Sequence, residues 1–136
     1  MTKDHKYTRD SPMFKEAVSY RKLNMLGEAK KLIIEILTDQ PDFIPALSEM
    51  GEIFTLEKDY NKAAFYFKKK LDLLPDAQYA LRGKGVIYRL KGRIKGAIEG
   101  LLTLSRHKLK EELRKKNAQV IAASKIATAN PLHEGS

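Results

Sequence analysis

A spacing of 34 residues recurs along the chain and constrains its fold more than any other feature of the sequence. Ala29, Ala63 and Ala97 stand one step apart. The same step joins Ala17, Gly51 and Gly85, all small, and Tyr20, Phe54 and Tyr88, all aromatic. Leu26, Tyr60 and Ile94 form a fourth column and Ile33, Phe67 and Leu101 a fifth. Pro41 and Pro75 recur once before Leu109 takes the third place. Self-similarity at a fixed period of this size marks a stacked repeat, in which each unit buries its apolar face on its neighbours.

Within a unit the apolar positions follow helical spacing. Leu47, Met50, Gly51 and Phe54 lie at i, i+3, i+4 and i+7, and Tyr60, Ala63, Ala64, Phe67 and Leu71 form a second stripe. Asp59 is placed to cap that second helix and Pro75 to stop it. A unit is therefore two antiparallel helices, whose small residue permits close approach and whose aromatic, three positions on, fills the adjoining space. Ser11 followed by Pro12 is a cap and first-turn pair, so the first helix is expected from there to about Met25. Further helices are expected near 27–40, 44–57, 60–73, 77–91 and 93–107. Beyond them, Glu111 with Lys115 and Glu112 with Lys116 are i, i+4 pairs in a stretch rich in Lys, Leu, Glu and Ala. A seventh helix is expected there, with Leu109, Leu113, Val120 and Ile121 turned to the open end of the stack. The expected organisation is a flexible segment at 1–10, three repeats over 11–109 (about 10–43, 44–77 and 78–109), a capping helix at 110–129 and a flexible tail at 130–136.

These residues resemble the tetratricopeptide repeat family. Its pattern of a large residue, Leu-Gly, Tyr, then Ala and Phe four apart, and finally Pro is met in the middle repeat by Leu47, Met50, Gly51, Phe54, Ala63, Phe67 and Pro75. The third repeat offers Leu81, Lys84, Gly85, Tyr88, Ala97 and Leu101. The first offers Met13, Glu16, Ala17, Tyr20, Ala29, Ile33 and Pro41, and Lys84 and Glu16 fall where the family is usually apolar. The resemblance implies an all-α, right-handed superhelical stack of three helix pairs with a seventh, C-terminal helix. It also implies a concave groove lined by the first helix of each pair. Carried over by register, the groove positions are Phe14, Val18, Arg21 and Lys22, then Glu49, Glu52 and Leu56, then Tyr79, Arg82, Val86 and Arg89. The implied role is that of a non-catalytic scaffold or adaptor holding a partner protein or peptide with acidic residues beside an apolar anchor. Phe14, Val18, Glu49, Tyr79 and Gly83 stand where family members that grip the acidic C-terminus of heat-shock chaperones place Lys, Asn and Arg, so that clamp is missing. Three such repeats also resemble, in architecture alone, secretion chaperones that hold an unfolded segment.

Charge supplies a competing reading. The chain carries +9 overall, and residues 76–109 hold eight Lys or Arg against two acidic residues. Arg82, Lys84, Arg89, Lys91, Arg93 and Lys95 form a basic patch with no acidic residue between Ala77 and Ile98. Clustered cations neutralise phosphates, so nucleic-acid or ribosome association is the alternative to protein binding. Against it stands the lack of a base-stacking aromatic motif.

Catalytic and cofactor chemistry finds little support. There is no cysteine, and His5, His107 and His133 lack the spacing of metal ligands, so neither a metal nor a cofactor is expected and no enzyme activity is inferred. Gly92, Gly96 and Gly100 lie on a predicted helix rather than at a strand-to-helix turn, which argues against a phosphate loop. Their spacing of four instead predicts close packing, either by the C-terminal helix of the same chain or by a second subunit, leaving monomer and homodimer both open. No apolar run is long enough to span a bilayer and the polar start carries no apolar signal segment, so a cytoplasmic location is expected.

Overall fold

The computed structural model describes the backbone of residues 6–75 and 84–129, and the side chains of 6–75 and 89–126. Among the described residues the secondary structure is wholly helical: α1 (Pro12–Lys22), α2 (Leu26–Asp39), α3 (Ile44–Leu56), α4 (Tyr60–Leu73) and α5 (Lys84–Ala129). The chain divides into two compact units, Met1–Leu102 and Thr103–Ser136.

In the first unit α1 packs on α2, α3 packs on α4, and α2 lies against α3. The sequence period is also a period of the backbone. At the end of α1 the amides of Leu23, Asn24 and Met25 donate to the carbonyls of Ser19, Arg21 and Tyr20. At the end of α3 those of Glu57, Lys58 and Asp59 donate to Ile53, Thr55 and Phe54, one step of 34 later in every case. Asn24 and Lys58 sit at φ 62° and 60°, the left-handed conformation that turns one helix back along the other. At the second turn the Asp59 side chain accepts from the Lys62 amide and so satisfies a free donor at the start of α4.

Packing follows the columns. Ala17, Ala29, Ile33, Ile36, Ala46, Met50 and Ile53 form a buried core shared by α1, α2 and α3. Each large aliphatic side chain removed from water there contributes about 1.5–3 kcal/mol. Gly51 allows a close approach within the second pair: a Cβ built on it would stand 2.6 Å from Cζ of Phe67. The small residue of α3 thus receives the Phe67 ring of α4. A second cluster joins Ala63 and Ala64 of α4 to Leu101 of α5, with Phe54, Phe67 and Ile98 around them.

The segment expected to be loose at the N-terminus is partly tied down. Tyr7 is buried, with its ring 6.4 Å from that of Phe43. Its hydroxyl donates to Asp39 at 2.8 Å and Lys6 reaches the same carboxylate at 3.1 Å. Those two hydrogen bonds, Tyr7 first, hold the Asp39 carboxyl below its ordinary range, and the bond to Asp39 likewise lifts the Tyr7 phenol. Residues 6–10 therefore belong to the fold of the first pair.

The third pair is where the structure departs from the expected seven helices. The helices expected to end at 91, restart at 93 and restart again at 110 are, from Lys84 to Ala129, the single helix α5; residues 77–83 lie outside the described residues. Two features explain the missing turn at Gly92, the counterpart of Asn24 and Lys58. Arg93 stands where Asp59 caps α4, and arginine has no acceptor for a free backbone amide. Leu90, Ile94, Ile98 and Leu101 also continue one apolar stripe through the glycine without loss of phase, and Ile94 and Leu101 are buried by it. Glycine permits a left-handed residue but does not impose one.

Two faces of this helix are open among the described residues. Among the described residues, added Cβ atoms at Gly92, Gly96 and Gly100 would meet nothing within 4 Å. Leu109, Leu113, Val120 and Ile121, expected to be the covered side of a cap, are exposed.

Candidate binding groove

Helices α1 and α3 touch in the first unit, and five of the residues chosen by register meet there. Phe14, Val18, Lys22, Glu49 and Glu52 line one open groove of about 630 Å³. Pro45 and Ser48 complete its α3 side, and Arg9, Lys15 and Lys70 add cations at its edge. Phe14 and Val18 recur at i and i+4 on α1, which sets them on one face.

The roles inside this groove differ from a simple basic slot. Arg21 is not available to an incoming carboxylate. Its guanidinium donates to Glu49 through Nε and, at 3.4 Å, through a second nitrogen, and it stands 3.4 Å from Glu52. The Arg21 and Glu49 side chains are only 18% and 13% exposed, and the hydrogen bond to Glu49 raises the affinity of the guanidinium for its proton. This pair ties α1 to α3, and truncating one partner would leave the other charge partly buried and unpaired. Phe14 is likewise spent on structure: it is buried edge-on against Phe43 with ring centres 5.4 Å apart.

The groups left for a ligand are the apolar surface of Val18 and Pro45 and the cations around it. Lys22, Lys70 and Arg9 have no ion pair among the described residues, and Lys15 has only a 3.9 Å contact with the exposed Asp10. Glu52 keeps one carboxylate oxygen within 3.4 Å of Arg21, so the acidic groups of the groove are already partnered. The resulting surface is an apolar strip with a cationic border. Lys30 and Glu57, at 2.9 Å, form a similar cross-pair tie between α2 and the end of α3.

Of the remaining register positions, Leu56 is exposed at the end of α3, and Arg89 is exposed near the start of α5 and without an ion pair among the described residues. Tyr79 and Arg82 lie outside the described residues, as does the side chain of Val86. Register alone missed Arg9, Lys15 and Lys70. Lys70 belongs to a second helix of a pair, and the run Lys68, Lys69, Lys70 was its one trace in the sequence.

Among the described residues no group of three or more His, Asp or Glu is placed to hold a metal ion, and no helix is long and apolar enough to cross a membrane. Compared with known proteins, the chain matches no family model, no curated protein and no solved structure.

Proposed function

We propose that this chain is a non-catalytic binding scaffold of the tetratricopeptide type, which holds a short segment of a partner protein in the groove between α1 and α3. The observation that carries the reading is the composition of that groove: an apolar strip at Val18 and Pro45 bordered by Arg9, Lys15, Lys22 and Lys70, with its two glutamates already engaged by Arg21. A segment that fits has an apolar anchor flanked by Asp or Glu, because each free cation then gains a charge-assisted hydrogen bond on binding. The rigid α1–α3 tie through Arg21 and Glu49 supports the reading, since a pre-formed surface avoids ordering costs at the moment of association.

The test is a peptide array of apolar anchors with acidic or basic flanks, followed by fluorescence anisotropy on the best binders. Lys22→Glu with Lys70→Glu should weaken an acidic-flanked peptide by at least about tenfold, because two bordering attractions become repulsions of its carboxylates. Equal binding by wild type and variant would remove the groove from consideration.

The alternative reading, phosphate binding, draws on Arg89, Arg93 and Lys95, which are exposed on α5. It predicts that an RNA oligonucleotide binds with a steep fall of affinity in salt. Arg89→Glu with Arg93→Glu would abolish that binding and leave peptide binding unchanged.

A further inference from the structure

The second unit begins at Thr103, and from there to the end of α5 at Ala129 the helix carries seven Lys or Arg against two Glu. Leu109, Leu113 and Val120 are 56%, 49% and 66% exposed. At 3.6 residues per turn they fall within an arc of about 40° on the helix surface. Steps of four and seven are those of a narrow coiled-coil seam rather than of a helix laid on a globular core. Two places in the same seam are cationic, since Arg106 precedes Leu113 by seven residues and Lys116 follows Leu109 by seven. Lys110 stands beside it. None of these three cations has an ion pair among the described residues, whereas Glu111 is engaged by Arg114 at 3.1 Å on the far side of the helix.

We propose that this face of α5 docks an acidic amphipathic helix of a partner protein. Apolar side chains of the partner lie on Leu109, Leu113 and Val120, and its carboxylates meet Arg106 and Lys116. Charge selects this occupant over a second copy of the chain. A parallel, in-register pair would set Arg106 on Arg106 and Lys116 on Lys116. An antiparallel pair with Leu109 on Leu113 would set Arg106 on Lys116. Both arrangements that join leucine to leucine bury like charges, which disfavours them. A lipid surface is also a poor fit, because residues 103–129 hold no Phe, Tyr or Trp to anchor at the interface. The inference goes beyond the groove reading and shares no residue with it, so substitutions at Lys22 and Lys70 leave it untouched.

The test uses the full chain and a labelled synthetic helix with Leu at heptad seam positions and Glu at the flanks. Its counterpart carries Lys for every Glu. Anisotropy at low and high salt should show salt-sensitive binding of the acidic helix alone. Leu113→Glu with Val120→Glu changes exposed positions, so helix content by circular dichroism should persist while affinity falls at least about tenfold. Arg106→Glu with Lys116→Glu should reverse the preference toward the Lys counterpart, which general damage to the helix would not do. Equal binding of the two helices overturns the proposal. So does binding to phosphatidylserine–phosphatidylcholine vesicles, or concentration-dependent dimerisation in analytical ultracentrifugation, that those same substitutions abolish while the acidic helix fails to bind.

Discussion

The helix pairs α1/α2 and α3/α4 and the single helix α5 share one sequence period and use it differently. In the pairs, the left-handed Asn24 and Lys58 reverse the chain, and in the second pair Gly51 of α3 receives the Phe67 ring of α4. In α5 the same columns lie along one helix. Ala97 is exposed, although Ala29 and Ala63, its counterparts, are wholly buried. Without the turn the columns part company on α5: Ile94 and Leu101 are still buried, while Ala97 is not. The turn is decided by a few residues of local chemistry rather than by the column itself.

The sharpest way to break this contrast is to truncate one aliphatic side chain in each setting. Ile33→Ala, at a site with no exposure, should cost about 2–5 kcal/mol in urea unfolding. Leu113→Ala, at a half-exposed site of α5, should stay within about 0.5 kcal/mol of wild type. A comparable loss at both would mean that α5 is packed as tightly as the pairs.

A glycine comparison should give effects of opposite sign. Gly51→Ala drives a methyl into the Phe67 ring and is expected to destabilise by about 1–3 kcal/mol, because the ring must leave its place against α3. Gly96→Ala meets open space in the interior of a helix and should stabilise by about 1 kcal/mol. Thermal unfolding followed by circular dichroism reads both. Destabilisation by Gly96→Ala would show that the glycine face is covered in solution.

The smallest effect concerns acid. The Asp39 carboxyl has a lowered folded pKa, so its stabilising contribution is present above the unfolded value of about 4 and is lost as pH falls through the folded value. Wild type and Asp39→Asn should therefore differ in urea midpoint near neutral pH and converge in acid below that range. A difference that persists undiminished in acid would show that the Tyr7 tie does not depend on the Asp39 charge.

Much of the first unit was legible because its signals are local and agree with one another. Asp59 read as a cap and accepts from Lys62, Pro75 follows the end of α4, and Gly51, read as a site of close helix approach, faces the Phe67 ring. The groove was legible in part: Val18, Lys22 and Glu52 fell together by register, but Arg21 is consumed by Glu49 and Lys70 arrives from a helix that register assigned elsewhere. Tyr7 was not legible, since nothing near it in sequence shows that Asp39 and Phe43 would receive it from more than 30 residues away.

The sequence by itself determined the helical class, the period and the position of two reversals, because helical phase, caps and turn residues act over a few neighbours. Only the tertiary structure decided whether Gly92 turns, whether Arg21 serves a ligand or a neighbour, and which apolar side chains stay uncovered. Those outcomes depend on competition between distant surfaces for the same partner. An unbroken stripe from Leu90 to Leu101 that buries Ile94 and Leu101 prevails over a glycine that merely allows a turn.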